Sequence, residues 1–206
     1  TTLTPGKVSG LPLRGRPDIL TIGVSTGGPK ALMEVIPFLP ENFPVPILIV
    51  QHMPPIFTKA LADSLAKKSK LKIKEASHGE IISKGTVYIA PGGKHMRLKG
   101  FNTARQMQIE ITDDPPLNHC KPSVDYCFKS ISNFYPGKTL AIILTGMGND
   151  GTMGLRLLKR VGAEVIAQDE ASSIVFGMPA EAIKAGVVDH ILPLNQIASK
   201  AKEITR

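Results

Sequence analysis

Three polar residues, each at a point where an apolar run gives way to a turn, carry side chains that could together perform nucleophilic catalysis. Ser25 lies in Gly-Val-Ser-Thr-Gly, which fits the pattern G-x-S-x-G, His52 comes shortly after a run of aliphatic residues, and Asp150 lies in a glycine-rich turn after another such run. A serine hydroxyl attacks a carbonyl at neutral pH when a base takes its proton, and a carboxylate holds that base best. The three residue types together favour a hydrolase with a Ser-His-Asp triad.

Each of the three residues also has an ordinary structural explanation. A glycine- and serine-rich turn after a strand need not be catalytic, and a histidine at a strand end, such as His52, is commonly a polar cap. Asp150 is a typical N-cap for a helix that begins at Gly151. The chain order Ser, His, Asp also differs from the order Ser, Asp, His of the hydrolases that share the G-x-S-x-G turn, which argues against their fold.

The elements that must position these residues alternate between strand and helix. Residues 19–24 predict a buried strand, the glycines after them predict a sharp turn that exposes the Ser25 hydroxyl, and Pro29 predicts the start of a helix. Short aliphatic runs predict further strands, and apolar residues at helical spacing predict further helices. The strands are predicted near 47–50, 73, 86–90, 140–144, 165–167 and 188–191, and the helices at 29–39, 56–69, 123–134, 152–161, before 185 and from 195 onward.

Residues 95–112 follow a different pattern, in which apolar and polar residues alternate around a loop at 100–105, and this predicts an antiparallel hairpin. The predicted fold class is α/β, with a doubly wound, mostly parallel sheet, helices on both faces and this added hairpin. In such sheets ligands bind beyond the carboxyl ends of the strands. Because Ser25, His52 and Asp150 each follow a predicted strand, we expect them at one edge of the sheet.

Residues 1–18 are rich in proline and glycine and show neither helical nor strand periodicity. The chain also begins without methionine. We therefore expect a linker at 1–18 that joined a preceding domain, followed by a catalytic domain at 19–206. A plain disordered tail is the alternative explanation for residues 1–18.

Composition narrows the class of protein. The net charge of +8 favours acidic partners, but the absence of tryptophan and the 5% content of aromatic residues argue against single-stranded nucleic acid. No apolar run reaches the roughly 18 residues of a membrane span, and residues 1–18 lack the apolar segment of a signal peptide. Cys120 and Cys127, taken to lie on one helix, are not expected to form a disulfide. These features predict a reduced, cytoplasmic protein without membrane insertion.

Five motifs in one order give the chain a family resemblance that runs from about residue 18 to the C-terminus. The sequence resembles the catalytic domain of CheB, the bacterial chemotaxis receptor methylesterase. The motifs are Gly-Val-Ser-Thr-Gly-Gly at 23–28, Gln-His-Met-Pro-Pro at 51–55, Tyr-Ile-Ala-Pro-Gly at 88–92, Leu-Thr-Gly-Met-Gly-Asn-Asp-Gly at 144–151 and Val-Phe-Gly-Met-Pro at 175–179.

The resemblance implies a role for each residue of the site. It implies that Ser25 is the nucleophile, that His52 is the general base and then the general acid, and that Asp150 orients His52. It also implies that the backbone N–H of Met147 helps to bind the oxyanion. Because Thr26 follows the nucleophile in the G-x-S-x-G turn, its N–H is the expected second oxyanion donor.

The resemblance further implies substrates and partners. The substrates would be glutamate γ-methyl esters on the helical cytoplasmic domain of chemoreceptors, with glutamine deamidation as a related activity. Whole proteins of this family carry an N-terminal receiver domain, phosphorylated by the chemotaxis histidine kinase, that covers the site until phosphorylation. Residues 1–18 match the place of the interdomain linker. No cofactor and no nucleic-acid partner are expected.

The chain departs from the family pattern at one place. Where a histidine and an arginine are expected, the chain has Cys120 and Lys121, which puts in doubt any substrate contact made by those side chains. His95, His119 and Cys120 could suggest zinc, but the sequence contains neither C-x-x-C nor H-E-x-x-H. The sequence therefore predicts no metal site.

Two rival functions remain open at this stage. A phosphate- or nucleotide-binding module is one, because glycine-rich turns that open helices bind anions, although neither G-x-G-x-x-G after the first strand nor G-x-x-x-x-G-K-[ST] is present. A receptor-binding domain without catalysis is the other, and it would require a broken triad. The triad residues are intact.

Overall fold

The computed structural model of the chain describes residues 11–101 and 106–206. The first ten residues of the predicted linker, and most of the predicted hairpin loop, lie outside the described residues. Residues 11–18 form no helix or strand, but they follow the surface of the domain. The N–H of Arg14 donates to the carbonyl of Gly137, the N–H of Asp18 donates to that of Lys138, and Pro17 is buried. This segment therefore lies against the domain.

In the described part of the chain, seven strands form one parallel sheet, and two more form a separate antiparallel hairpin. The strands are β1 (Ile19–Val24), β2 (Ile47–Gln51), β3 (Lys72–Glu75), β4 (Thr86–Ile89), the hairpin strands β5 (His95–Phe101) and β6 (Gln106–Thr112), β7 (Thr139–Ile143), β8 (Glu164–Gln168) and β9 (His190–Leu192). The sheet order is β3-β4-β2-β1-β7-β8-β9, and every described pairing in it is parallel.

Among residues 11–101 and 106–206, six α-helices cover the two faces of this sheet, as predicted. They are α1 (Gly28–Val35), α2 (Phe57–Ala66), α3 (Val124–Phe134), α4 (Thr152–Arg160), α5 (Met178–Lys184) and α6 (Leu194–Thr205). Helices α1, α2 and α6 form one core with the sheet, in which Leu32 and Ile197 are fully buried. Helices α3, α4 and α5 and the hairpin form the other core, with Ile131 and Ile109 fully buried. The doubly wound fold with an added hairpin is confirmed.

The central strand β1 is buried on both faces, which explains its nearly continuous apolar sequence. Its one glycine lies where helix α3 approaches the sheet. A Cβ atom on Gly23 would lie 2.5 Å from the Val124 side chain. The glycine thus allows the first turn of α3 to pack directly against β1, close to the Ser25 turn.

Several element ends differ from those predicted. Helix α1 ends at Val35 and continues as a short 3-10 turn, and α2 is shorter at both ends than predicted. Cys120 does not share a helix with Cys127, because Pro122 intervenes and Ser123 caps α3, although both cysteines are unpaired as expected. Within the described ranges, no helix combines the length and apolar composition that crossing a membrane requires.

Candidate active site

The register of two neighbouring strands brings Ser25 and His52 together. Val24, the last residue of β1, pairs with Gln51, the last residue of β2, so Ser25 and His52 leave the sheet side by side. The N–H of His52 donates to the carbonyl of Val24 at 3.1 Å. The predicted placement of both residues at the carboxyl edge of the sheet is therefore observed.

The side chain of Gln51 links the two turns. Its Nε2 donates to the backbone carbonyls of Ser25 at 2.9 Å and of His52 at 3.2 Å. Because both partners are acceptors, they fix the amide orientation. The side chain is almost completely buried, and its Oε1 has no hydrogen-bond partner among the described residues. Gln51 thus fixes the spacing between the two turns.

Asp150 comes from the loop after β7, on the other side of β1, and its carboxylate meets the His52 ring. The distance from His52 Nε2 to Asp150 Oδ2 is 2.7 Å, and the Asp150 side chain is 3% exposed. This contact uses Nε2, which leaves Nδ1 as the ring nitrogen available to a nucleophile. The structure thus brings together the base and the carboxylate predicted from sequence.

The carboxylate of Asp150 is held by the start of helix α3. It accepts hydrogen bonds from Ser123 Oγ at 2.8 Å and from the N–H groups of Val124 at 2.7 Å and Asp125 at 3.0 Å. Burial by itself raises the pKa of Asp150, but the bonds from His52 and from α3 outweigh burial, and its pKa lies below the ordinary value. Asp150 therefore stays ionised beside His52.

The explanation of Asp150 as the N-cap of the following helix is wrong. Helix α4 is preceded by Gly151, which has a φ of 103° and makes no side-chain cap. The N–H groups of Gly151 and Gly154 donate instead to Oδ1 of Asp125, at 3.0 and 2.6 Å. Asp150 thus caps α3, the helix that carries Asp125, and Asp125 caps α4, the helix that follows Asp150. This exchange of caps directs Asp150 toward His52.

Asp125 and Asp150 form a buried pair of like charges. Burial, together with the charge of Asp150, raises the pKa of Asp125 in spite of its bonds from the α4 N–H groups. Nδ2 of Asn118 donates to Asp125 at 2.8 Å and reaches Asp150 at 3.4 Å. The amide hydrogens of Asn118 therefore offset part of the repulsion between the two carboxylates.

The loop after β7 packs closely on the Ser25 turn. A Cβ on Gly146 would lie 2.7 Å from Ser25 Cβ, the N–H of Ser25 donates to Thr145, and Thr145 Oγ1 donates to the carbonyl of Thr26 at 2.9 Å. In residues 11–101 and 106–206, the N–H groups of Thr26 and Met147 donate to no other backbone group. Thr26 therefore belongs to the nucleophile turn itself, and Met147 directly follows Gly146, which packs on that turn.

Cys120 lies on the other side of the His52 ring, where sequence reasoning did not place it. The distance from its Sγ to His52 Nδ1 is 3.9 Å. Burial raises the pKa of this thiol to about 11, and the charges of Asp150 and Asp125 act in the same direction. The thiol is therefore protonated at neutral pH, which argues against Cys120 as the nucleophile. Lys121 points elsewhere and pairs with Asp113 at 2.7 Å.

The histidines considered for zinc do not form a cluster. His95 is fully buried, its Nε2 lies 3.0 Å from the carbonyl of Pro115, and its Nδ1 accepts from the N–H of Ser123. His119 is exposed. In the part of the chain that the structure describes, the group of possible metal ligands is His52, Cys120 and Asp150, whose ligand atoms lie within 4.8 Å of one another.

Sequence reasoning missed the residues that hold the site in place. Gln51 lies inside the motif that supplied His52, and its position at a buried strand end, directly before a candidate base, was an available signal. Asp125 offered no such signal, because its partners at Gly151 and Gly154 are 26 and 29 residues away.

Comparison with known proteins identifies relatives of this whole domain. The family profile described as CheB methylesterase matches residues 20–201. The chain is 51% identical over 187 residues to a protein-glutamate methylesterase/protein-glutamine glutaminase from Desulfotalea psychrophila, covering 91% of this chain. A protein of the same name from Thermotoga maritima is 45% identical over 203 residues.

The crystal structure of the Thermotoga maritima CheB methylesterase catalytic domain superposes with a TM-score of 0.88. The two are 45% identical, and the alignment covers 95% of this chain and 99% of that one. The chain spans about half the length of the curated relatives that it matches, 51% for the Desulfotalea protein and 56% for the Thermotoga protein. The match covers nearly the whole domain and every strand end that forms the site, so the chain belongs to the CheB methylesterase family.

Proposed function

We propose that the chain is the catalytic domain of a protein-glutamate methylesterase, which hydrolyses glutamate γ-methyl esters of chemoreceptors. The observation that carries this proposal is the 2.7 Å contact between His52 and Asp150 beside the strand end that presents Ser25. A nucleophile, a base and a buried carboxylate in that order are the groups that acyl transfer requires. The family membership supplies the substrate class.

The first half of the reaction forms an ester between the substrate and Ser25. The hydroxyl oxygen of Ser25 attacks the γ-carbonyl carbon while His52 Nδ1 takes the proton. Asp150, ionised and bonded to Nε2, stabilises the imidazolium that results. The N–H groups of Thr26 and Met147 stabilise the negative oxygen of the tetrahedral intermediate. His52 then gives its proton to the leaving oxygen, and methanol departs.

The second half of the reaction releases the product by hydrolysis. A water molecule gives a proton to His52 and attacks the acyl-serine, and collapse of the second tetrahedral intermediate returns that proton to Ser25. The product is a glutamate side chain. A glutamine side chain follows the same path with ammonia as the leaving group, which gives the proposed deamidase activity. The groups named in these steps are supplied by the chain and need no cofactor.

The proposed setting is the cytoplasm, and the proposed partner is the helical cytoplasmic domain of chemoreceptors. The net charge of +8 suits an acidic helical bundle. The chain spans 51% of the length of two relatives, which supports a further domain in the whole protein. The family resemblance leads us to propose that this is a receiver domain, phosphorylated by the chemotaxis kinase, and that it lies before residues 1–18. In that arrangement residues 1–18 are the interdomain linker and residues 19–206 the catalytic domain.

Methanol release from methylated receptor fragments tests the proposal. By analogy with other triads, we expect Ser25→Ala to lower kcat by about 10⁶-fold and Asp150→Asn by about 10⁴-fold. Ser199→Ala, on the exposed face of α6, is the matched control and retains full activity. Circular dichroism checks that each variant folds. Methanol release that survives in Ser25→Ala would exclude Ser25 as the nucleophile.

A further inference from the structure

The ring of His52 lies between a carboxylate and a thiol. Nε2 is 2.7 Å from Asp150, and Nδ1 is 3.9 Å from Sγ of Cys120. Because the Asp150 carboxylate already accepts hydrogen bonds from three donors at the start of α3, it is an acceptor toward His52 as well, so Nε2 carries the ring hydrogen in neutral His52. The lone pair of Nδ1 is therefore directed to the side on which Cys120 lies.

This arrangement has the geometry of a histidine that binds a metal. Histidines that bind metals almost always donate their other ring N–H to a carboxylate or a carbonyl, as His52 does to Asp150. In a tetrahedral zinc site with Zn–N near 2.0–2.1 Å and Zn–S near 2.3 Å, the nitrogen and sulfur ligands are about 3.6 Å apart. The observed 3.9 Å between Nδ1 and Sγ is within about 0.3 Å of this separation.

Asp150 belongs to the site as an outer partner and not as a ligand. Its two oxygens already accept hydrogen bonds from Ser123, Val124 and Asp125, in addition to His52. An ion between Nε2 and Oδ2 would need more room than their 2.7 Å separation leaves. The ion must therefore lie on the Nδ1 side of the ring, next to Cys120.

We propose that His52 Nδ1 and Cys120 Sγ form a binding site for a thiophilic divalent cation such as Zn²⁺, with water completing the coordination, and that the ion reversibly blocks the base. Binding replaces the thiol proton of Cys120 with the ion and releases that proton to solvent, so no redox step is involved. While the ion is bound, the Nδ1 lone pair is occupied and cannot take a proton from Ser25. Hard cations such as Mg²⁺ prefer oxygen ligands and do not bind here.

Direct binding measurements test the site without any esterase assay. The reduced chain is titrated with Co²⁺, whose thiolate complexes give a charge-transfer absorption band, and with Zn²⁺ by equilibrium dialysis. We expect the band, with one ion per chain, in the wild type. We expect the same band in the control variant Cys127→Ala, because the Cys127 thiol is buried in the α3 core, away from the proposed site. We expect no band in Cys120→Ser. Loss of either ligand should weaken Zn²⁺ binding by at least the 10–100-fold typical of losing an outer partner.

Two results would overturn the proposal: a wild-type chain that shows no thiolate–cobalt band, or a Cys120→Ser variant that binds Zn²⁺ as tightly as the wild type. His52→Ala distinguishes a two-ligand site from binding by Cys120 alone, because this variant retains Cys120. It should bind Zn²⁺ at least about 10–100-fold more weakly than the wild type. Circular dichroism confirms that all variants fold.

Inhibition of methanol release is a separate measurement that rests on the proposed function. Each variant is compared with its own activity in chelator-treated buffer. Zn²⁺ should inhibit the wild type, and EDTA should reverse the inhibition. Cys120→Ser should need at least about tenfold more Zn²⁺ for the same inhibition. If no variant releases methanol, the proposed function fails while the binding result still decides the metal site.

Discussion

At the scale of single residues, Gln51 has the most testable role outside the triad. It donates from one nitrogen to the carbonyls of both Ser25 and His52 and is 2% exposed. We expect Gln51→Ala to lower kcat by about 10–100-fold with little change in KM, because a displacement of about 1 Å in the relative position of nucleophile and base costs about 10²-fold. Kinetics on receptor fragments measure kcat and KM, and urea unfolding separately measures any change in stability.

The control for this prediction is Gln196→Ala, on the exposed face of α6, which should change neither kcat nor stability. A purely structural role for Gln51 would predict a loss of stability, about 1–3 kcal/mol for the carbonyls left without donors, with kcat per folded molecule unchanged. That outcome would contradict the positioning role.

The lowered pKa of Asp150 predicts how stability depends on pH. The folded pKa lies below the unfolded value of about 3.9, so the unfolded chain binds the proton more readily. The stability that Asp150 contributes is complete above the unfolded pKa and is lost as pH falls through the folded pKa. Urea unfolding at pH 7 and near pH 3 should show a smaller loss on acidification in Asp150→Asn than in the wild type. An equal loss in both chains would contradict the assignment.

At the scale of secondary structure, helices α3 and α4 hold each other at the site. Asp125, on the first turn of α3, accepts from the N–H groups of Gly151 and Gly154 at the start of α4, while Asp150 accepts from the start of α3. We expect Asp125→Ala to lower stability by about 0.5–2 kcal/mol, the usual cost of losing a helix cap. We also expect kcat to fall, because the loop that carries Asp150 loses its anchor.

Asp63→Ala on the exposed face of α2 is the matched control for this prediction. Within the described residues its carboxylate pairs with Lys59, one turn away, and with no other cation, and it is 60% exposed. Its removal should therefore change stability by less than about 0.5 kcal/mol. Thermal unfolding of the two variants compares the loss of a helix cap with the loss of an exposed ion pair. A stability loss in Asp125→Ala no larger than that in Asp63→Ala would show that the exchange of caps is energetically unimportant.

The strands and helices were largely predictable from the sequence. The contacts that their residues make with residues distant in sequence were not. Aliphatic runs identified the buried strands, and the alternating pattern of residues 95–112 identified the hairpin, because side-chain periodicity reflects burial directly. The alternative explanation of Asp150 as an N-cap was wrong, because local sequence cannot show that the start of a second helix, α3, lies beside Asp150. Cys120 was missed as a neighbour of His52 for the same reason, since 68 residues separate the two.

At the scale of the whole molecule, strand order brings the candidate site together. The three residues follow β1, β2 and β7, which are neighbours in the order β2-β1-β7. Sequence predicted that each residue follows a strand, and parallel strands place such positions at one edge. It could not give the order of the strands, which depends on how the helices pack on the two faces.

The two cores share strands β1, β2, β4, β7 and β8 of the sheet between them, and this predicts a single cooperative unfolding transition. Leu32 is fully buried in the core under α1, and Ile131 is fully buried in the core under α3. We expect Leu32→Ala and Ile131→Ala each to lower the free energy of unfolding by about 2–5 kcal/mol. For a domain of this size, each kcal/mol lost from the free energy of unfolding lowers Tm by roughly 2–4 °C. Because Leu20 and Ile22 of β1 face one core and Ile19 of the same strand faces the other, neither core can unfold without exposing the other.

Calorimetry of the two variants tests this coupling, with Met153→Ala as the control, because that side chain is 55% exposed on α4 and should shift Tm very little. One transition in each variant, with equal calorimetric and van't Hoff enthalpies, is the expected result. A second, lower transition in only one variant would show that its core unfolds separately. In that case the loss of the α3 core alone would release Asp150 and abolish activity at a temperature where the strands that carry Ser25 and His52 remain folded.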